Sequence, residues 1–231
     1  MKCVILQPSF IAWRGYFHQV HRADVFVFYD DVQYDKHGWR NRNRIKGPNG
    51  SQWLTVPVLS KGNVSHHLPI NQVRINTSQE WAAKHWTTLT QVYGRTPFFA
   101  QYAPILEPYY QRPYELLAEL TIDLTVAIAR ELLDITHTRF ERSSQLGISG
   151  TTTGRLVAIC QAAEATRYVS GPSAASYLDE EQFRAAGISV EYMAYDYPEY
   201  AQRFPPFDPF VSVLDLVFML GPEAPRYIWQ R

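Results

Sequence analysis

A dense group of polar side chains follows an apolar run near the start of the chain. The run from Val25 to Phe28 is typical of a buried strand, and Asp30 and Asp31 come directly after it. The segment from Lys36 to Lys46 then adds five arginine or lysine side chains and two asparagines. Loops that follow buried strands are where α/β folds place binding sites. The sequence therefore predicts a site for an anionic ligand in this loop.

The two adjacent carboxylates are candidates for catalysis. Asp30 and Asp31 have the chemistry to hold a divalent cation, to accept a proton, or to bind an amine or hydroxyl group of a substrate. An Asp-Asp pair after a strand is also an ordinary cap or turn former, and this alternative stays open. His85, in a predicted helix, is a further candidate general base.

The cations of the loop are regularly spaced. Every second position is basic over one stretch, at Arg40, Arg42, Arg44 and Lys46. This period is that of an extended segment, so Asn41 and Asn43 are expected on its opposite side. Arginine matches the oxygens of a diphosphate, and asparagine amides match base or sugar edges. A solvated cationic face is the alternative, and Lys46 is assigned to it. Contact of these cations and Trp39 with single-stranded RNA also stays open.

Two other segments join a predicted strand to a predicted helix. In the first, Gln7 offers a donor and acceptors, and Gly15 permits close approach of the backbone to a phosphate. Trp13 and Tyr16 in the same segment either contact a ligand or pack the helix on the sheet. The second segment, residues 143–155, is rich in hydroxyl side chains and glycine and ends at Arg155, which makes it a plausible anion-binding loop. It lacks the lysine and spacing of a Walker loop.

Two further candidate sites lie in the C-terminal half of the chain, and each is indicated by one feature of the sequence. Ser170 and Gly171 end a predicted strand in a turn of small residues. Asp215 lies inside an apolar helical run, where a buried carboxylate needs a partner. An arginine from residues 40–46 is the expected partner.

Composition limits the classes of protein to which the chain can belong. The chain has 231 residues, and 22 basic and 22 acidic side chains give a formal net charge of zero. A neutral chain has no overall field to attract long nucleic acid or an anionic membrane, so we expect a small-molecule substrate and no nucleic-acid partner. No apolar run reaches the roughly 18 residues of a membrane span, and the N-terminus lacks a signal-peptide pattern. We expect a soluble cytoplasmic protein with two reduced cysteines.

Strand and helix patterns alternate at both ends of the chain. A strand, a turn, a helix and a second strand within the first 30 residues predict a βαβ unit with parallel strands. Helical patterns over 78–93 and 113–133 predict a helical subdomain at about 78–133. We expect one α/β domain over 1–231, with a parallel sheet and this helical insertion.

The motifs as a set resemble those of the WbqC-like proteins of O-antigen and surface-polysaccharide biosynthesis. The matching segments are Gln7-Pro8-x-Phe10, Trp13-x-Gly15-Tyr16-Phe17, 23–28, Asp30-Asp31-Val32-Gln33, Trp39-x-Asn41-Arg42-Asn43, 53–57, Arg155-Leu156, Tyr168-x-Ser170-Gly171, Tyr177-Leu178, Pro198-x-Tyr200-x-Gln202 and Ser212-x-Leu214-Asp215-Leu216. The family usually has proline where Ala12 stands. The resemblance covers nearly the whole chain.

The resemblance implies a transferase that attaches an aminoacyl or acyl group to the amine of a nucleotide-linked amino sugar. Arg42 and its neighbours would hold the diphosphate, and Asp30 or Asp31 would orient or deprotonate the amine. The implied substrate-binding residues are Gln7, Trp13, Gly15, Tyr16, Gln33, Trp39, Asn41, Arg42, Asn43, Arg155, Ser170, Gly171 and Asp215. No metal ligands are predicted.

Two alternatives stay open beside the transferase. The segment Trp13-Arg14-Gly15-Tyr16 stands where nucleotidylyltransferases have His-x-Gly-His, which implies a Rossmann-like, nucleotidylyltransferase-like core. Both histidines are missing, so an ATP-dependent ligase or nucleotidylyltransferase that uses ATP and Mg²⁺ would depend on other groups. The third possibility is a non-catalytic binding protein of a glycan-assembly complex.

Overall fold

A parallel β-sheet forms the centre of the protein. The computed structural model describes residues 1–36, 38–59 and 68–229. The strands are β1 (Lys2–Leu6), β2 (Val25–Phe28), β3 (Arg42–Gly47), β4 (Gly50–Thr55), β5 (Arg139–Arg142), β6 (Arg167–Ser170) and β7 (Ser189–Tyr192). The helices are α1 (Arg14–Arg22), α2 (Trp81–Tyr93), α3 (Phe99–Gln111), α4 (Leu117–Ala127), α5 (Thr152–Ala162), α6 (Glu180–Ala185) and α7 (Val213–Leu220).

Strand order determines where a site can form. The central sheet has the order β5-β2-β1-β6-β7, and all its neighbouring strands are parallel. The chain leaves β1 toward β2 and β5, and later crosses to β6 and β7 on the other side of β1. The order therefore reverses between β1 and β6, and the crevice at their C-terminal ends is where such folds bind ligands. The α/β prediction with a Rossmann-like parallel sheet is confirmed.

The strands β1 and β2 are buried because their side chains are apolar on both faces. Val4 and Phe26 point into the larger core, which also contains apolar residues of α2, α3, α4 and α7. Cys3 and Val25, one position earlier, belong to the smaller core under α5 and α6. The free cysteines Cys3 and Cys160 are both buried there.

The middle of the chain differs in detail from the helical pattern in the sequence. α2 begins at Trp81 instead of 78, and α4 covers only the central part of 113–133 before a π-helical turn at Ile128–Leu132. Between them lies α3, a helix that the sequence pattern did not indicate. Pro104 and Pro108 lie inside α3, and internal prolines normally argue against a helix.

The antiparallel hairpin of β3 and β4 contains the alternating basic residues. The prediction of an extended segment is confirmed, and Asn43 is buried while Arg42 and Arg44 on the other side are partly exposed. Lys46 differs from the prediction, because it is only 4% exposed and is not part of a solvated face. Its backbone N–H donates to the hydroxyl group of Tyr93 on α2 (3.2 Å), so helix packing covers this end of the hairpin.

The hairpin also holds the turn between β1 and α1. Ile11 in this turn has a φ angle of 35°, which is strained for a β-branched residue. The Asn43 side-chain amide donates to the carbonyl oxygens of Phe10 (3.2 Å) and Ile11 (3.0 Å). The Phe10 N–H donates to the carbonyl oxygen of Arg40 (3.2 Å). These bonds keep the strained turn in place, and α1 begins directly after it.

Replacing Asn43 by alanine should destabilise the protein. The variant Asn43→Ala leaves two buried carbonyl groups of the turn without this donor, so we expect a loss of about 2 kcal/mol in the free energy of unfolding. Urea unfolding followed by circular dichroism measures it. The matched control is Gln101→Ala, which removes an exposed amide on α3 and should change stability by less than about 0.5 kcal/mol. An equal, small effect of both variants would contradict the role of Asn43.

Candidate functional site

Two neighbouring cavities open at the C-terminal end of β1. The aromatic cavity has a volume of about 370 Å³ and is lined by Leu6, Gln7, Ser9, Ala12, Trp13, Tyr16, Gln19, Trp39, Arg40, Asn43 and Phe210. The hydroxyl cavity has a volume of about 530 Å³ and is lined by Ile5, Leu6, Gln7, Tyr29, Arg40, Thr152, Thr153, Leu156, Tyr168, Tyr177 and Leu178. Leu6, Gln7 and Arg40 line both cavities. The two cavities therefore meet at the crevice that the strand order predicts.

Arg40 lies where the two cavities meet. Its guanidinium group donates to the Gln7 carbonyl oxygen (3.2 Å), which also accepts a hydrogen bond from the Tyr16 hydroxyl (3.3 Å). The buried Nε atom of Arg40 has no hydrogen-bond partner among the described residues. Burial lowers the pKa of Arg40, although its ordinary value is so high that the group stays charged. Arg40 is partly buried, and a partly desolvated cation with an unused N–H group favours an anionic ligand.

The aromatic cavity is walled by rings that pack on one another. Trp13 makes edge contacts with Tyr195 and Tyr197, at ring-centroid distances of 5.2 and 6.0 Å. A Cβ atom at Gly15 would lie 2.3 Å from the Trp13 ring, so this glycine makes room for the indole group. Trp39 is 42% exposed and packs against Trp53 at 5.2 Å. The requirement for Gly15 is thus explained by the wall of the cavity rather than by phosphate approach.

Gln19 projects from α1 into the aromatic cavity. It is only 5% exposed, and its Nε2 group donates to the Tyr195 hydroxyl oxygen (2.7 Å). Its Oε1 atom is buried without a hydrogen-bond partner among the described residues. Sequence reasoning missed Gln19 because a single glutamine in an amphipathic helix gives no signal.

The first turn of α5 borders the hydroxyl cavity. Thr152 and Thr153 line the cavity, where the free N–H groups of the helix give a partial positive charge. The guanidinium group of Arg155 lies 5.0 Å from the centre of the Tyr29 ring, which also lines the cavity. Asp31 forms an ion pair with this arginine. The hydroxyl-rich segment 143–155 therefore contributes its last residues to the site.

The two adjacent aspartates have different surroundings. Asp30 is fully buried, and its carboxylate accepts hydrogen bonds from Arg142 Nε (2.9 Å) and from the N–H (3.0 Å) and Oγ (2.9 Å) of Ser144. These contacts join the ends of β2 and β5. Asp31 keeps 24% of its side chain exposed and accepts from Arg155 and from the Ser143 hydroxyl (2.6 Å). Neither Asp30 nor Asp31 is among the residues that line the two cavities.

Several other predicted site residues stabilise the surroundings of the cavities. Asn41 donates to the Val56 carbonyl oxygen (2.8 Å), and the Arg42 guanidinium group lies 4.6 Å from the centre of the Trp53 ring. Gln33 is exposed and forms a β-bridge with Pro69. Five of the predicted substrate-binding residues line the aromatic cavity: Gln7, Trp13, Tyr16, Trp39 and Asn43.

The residues at the end of β6 lie beside the crevice. The Ser170 carbonyl oxygen accepts a hydrogen bond from the Met193 N–H (2.8 Å), which extends the pairing with β7. A Cβ atom at Gly171 would lie 3.3 Å from the Tyr195 hydroxyl oxygen. Neither residue is among those that line the two cavities.

Asp215 has partners that differ from the expected arginine. Its carboxylate accepts hydrogen bonds from the hydroxyl groups of Tyr93 (3.0 Å) and Tyr200 (2.8 Å). Burial raises the pKa of the Asp215 carboxyl group, and the two tyrosine bonds offset part of this rise. The expectation of an arginine was wrong because α2 and the segment before α7 bring tyrosine hydroxyl groups to this position. Asp215 therefore joins α7 to α2 and lies in the core.

His85 is packed among aromatic rings. The rings of Phe10, Trp81 and Tyr110 surround it at centroid distances of 5.7, 5.3 and 6.5 Å. Burial lowers the pKa of the His85 imidazole to about 4, and a hydrogen bond with the Thr55 backbone opposes this effect. His85 is not among the residues that line either cavity.

Two features of the described residues concern metals and membranes. The described ranges contain no group of three or more His, Cys, Asp or Glu side chains that is arranged to hold a metal ion. Among these residues, no helix combines the length and the apolar composition that crossing a membrane requires.

Removal of the Asp30 carboxylate should be strongly destabilising. Asp30→Ala removes the buried acceptor of Ser144 and of Arg142 Nε, although Arg142 keeps its ion pair with Glu119, and we expect the free energy of unfolding to fall by about 2–3 kcal/mol. The control is Glu181→Ala, which breaks the exposed ion pair with Arg184 and should cost less than about 1 kcal/mol. Chemical denaturation of both variants gives the comparison. A loss below that of the control would show that Asp30 does not join the strands.

The buried imidazole of His85 should make the protein less stable in acid. A histidine with a folded-state pKa below its unfolded value stabilises the protein above about pH 6.5, and this contribution disappears as the pH falls to about 4. Between pH 7 and 4, the wild type should lose about 3 kcal/mol more stability than His85→Phe. Urea unfolding across this pH range measures the difference, and the other histidines cancel in the comparison. Parallel pH profiles would contradict it.

Two comparisons with known proteins give matches that cover nearly the whole chain. The model of the WbqC-like protein family matches residues 7–227. An uncharacterized protein of Mycobacterium tuberculosis is 43% identical over 229 residues, which cover 98% of this chain and 97% of that relative. No solved structure matches the chain. The extent of the match leads to one conclusion: the chain belongs to the WbqC-like protein family.

Proposed function

We propose that this protein is a transferase of polysaccharide biosynthesis that acylates the amine of a nucleotide-linked amino sugar. The observation that supports it most is the pair of cavities that meet at Arg40. A nucleotide-sugar has the same order of parts, because a charged diphosphate separates its base from its sugar. Membership of the WbqC-like family fits a role in polysaccharide biosynthesis.

The diphosphate belongs at Arg40 in this proposal. The residue lines both cavities, and its buried Nε group is free to donate to a phosphate oxygen. An arginine can bind a phosphate through two parallel N–H groups, which also orients the ligand. Arg42, for which the family resemblance implies this role, lies over the Trp53 ring and is not among the residues that line either cavity.

The sugar belongs in the hydroxyl cavity. Five of the residues that line this cavity carry a hydroxyl group: Tyr29, Thr152, Thr153, Tyr168 and Tyr177. Hydroxyl groups both donate and accept, so they match the hydroxyl and amine groups of a sugar. The first turn of α5 adds N–H groups that favour a neighbouring phosphate.

Asp31 takes the proton of the attacking amine in this proposal. The free amine attacks the carbonyl carbon of an activated acyl ester or thioester, the new C–N bond forms, and the alcohol or thiol leaves. The nitrogen loses one proton, which Asp31 accepts and passes to the leaving oxygen or sulfur. Asp31 is partly exposed and is linked to the hydroxyl cavity through Arg155 and Tyr29. The Asp30 carboxylate is enclosed by protein donors, so Asp31 suits the role better.

Binding of nucleotide-sugars should depend on Arg40. A thermal-shift panel compares UDP, dTDP and GDP with their amino-sugar conjugates and with ATP. A ligand at about 100 times its dissociation constant stabilises the fold by about 2.7 kcal/mol. We expect one conjugate to stabilise the wild type and the control Arg184→Gln, but not Arg40→Gln, because Arg184 is an exposed residue of α6 that lines neither cavity.

A variant of Asp31 separates the acyl-transfer reaction from the binding of the ligand. Asp31→Asn should still bind the conjugate, and should lose acyl transfer to the sugar amine as followed by mass spectrometry. Stabilisation by ATP alone, with release of pyrophosphate on turnover, would replace the transferase by the ligase. Binding without transfer for any activated acyl donor would favour a binding protein. No stabilisation by any nucleotide would overturn the proposal.

A further inference from the structure

Two residues that line the aromatic cavity, Arg40 and Gln19, each have a buried polar atom without a hydrogen-bond partner among the described residues. The Oε1 atom of Gln19 is buried and lacks a hydrogen-bond donor among the described residues. A buried acceptor without a donor is costly, and proteins seldom keep one that no ligand satisfies. The position of this atom therefore indicates that a ligand supplies an N–H or O–H group inside the cavity.

The orientation of the Gln19 amide is set by its neighbours. Its Nε2 group donates to the Tyr195 hydroxyl oxygen at 2.7 Å, and the Tyr195 ring packs against Trp13 at 5.2 Å. Two other amide side chains, Gln7 and Asn43, line this cavity. Asn43 already donates to the Phe10 and Ile11 carbonyl groups and accepts from the Arg44 N–H. Of the three amides, Gln19 is the one whose oxygen is buried without a partner among the described residues.

The walls favour a flat ring over a sugar. Trp13, Tyr16 and Trp39 line the cavity with aromatic surfaces, on which nucleobases of any sequence stack favourably. Sugar hydroxyl groups would find fewer partners here than in the hydroxyl cavity. A nucleobase has both a flat face for the rings and an N–H group for a single acceptor.

We propose that the aromatic cavity binds the nucleobase of the nucleotide-sugar, and that Gln19 Oε1 accepts a hydrogen bond from an N–H group of that base. The inference rests on the proposed function, because the diphosphate at Arg40 sets the direction of the ligand. The base extends toward α1, and the sugar extends toward α5. Gln19 is then a residue that determines the base specificity of the enzyme.

The experiment measures binding of UDP, dTDP, CDP, ADP, GDP and inorganic pyrophosphate by calorimetry. The wild type should bind the preferred diphosphate more tightly than pyrophosphate. Gln19→Leu, which has a similar volume and no acceptor, should weaken that nucleotide by about 10-fold to 100-fold. It should leave the affinity for pyrophosphate unchanged. Arg40→Gln should weaken both ligands.

A second measurement varies the base of the ligand. The preferred diphosphate is compared with its analogue methylated at the base nitrogen that carries the proton. The wild type should prefer the unmethylated base by about 10-fold or more, and this preference should vanish in Gln19→Leu. If Gln19→Leu does not fold, the methyl analogue alone tests the donor, and Trp13→Leu tests the aromatic wall.

The outcomes distinguish the two proposals. A nucleoside diphosphate that binds no more tightly than pyrophosphate would overturn the base site and leave the diphosphate site at Arg40 intact. Equal binding of the methylated analogue would also overturn the role of Gln19. No binding of pyrophosphate or of any nucleotide would overturn both the base site and the proposed function.

Discussion

The hydrogen bonds from the Asn43 amide to the carbonyl groups of Phe10 and Ile11 connect the hairpin to the end of β1. The turn that they hold contains a residue with positive φ, which the local sequence alone would not favour. Because α1 begins right after this turn, the same bonds place Trp13 in the aromatic cavity. They also place Arg40 beside Gln7, since the hairpin begins two residues after Arg40. The geometry of both cavities therefore depends on this contact.

The sequence predicted the sheet better than it predicted the site. Apolar runs identify β1, β2 and β6 because strands buried on both faces need such runs, and their C-terminal ends locate the crevice. The helix α3 was missed because internal prolines argue against helices locally, while packing in the larger core supports it. Which side chain enters the crevice depends on tertiary packing and not on the local sequence. Arg40 and Arg42 share the same local pattern, and only the contacts of the hairpin with β1 separate them.

Asp30 and Asp31 show why residue type alone does not identify a catalytic group. In sequence they are neighbours with identical side chains after one strand. In the structure, Asp30 is enclosed by Arg142 and Ser144, whereas Asp31 faces Arg155 and retains contact with solvent. Both carboxylates lie near the Ser143 hydroxyl group, but only Asp31 reaches Arg155 on α5. A buried carboxylate with all its acceptors used stabilises a fold, and a partly exposed one remains available for chemistry.

For the proposed diphosphate site, the place of a cation in the fold matters more than the number of cations on this neutral chain. Arg42 and Arg44 lie near Trp53, within 4.6 and 5.7 Å of its ring centre, on the partly exposed side of the hairpin. Water and salt weaken their attraction for a phosphate. Arg40 lines both cavities and desolvation lowers its pKa, whereas Arg42 and Arg44 are not among the residues that line either cavity. Where the effective dielectric constant is lower, the same charge attracts an anion more strongly, so Arg40 is the cation of this loop that we propose for the diphosphate.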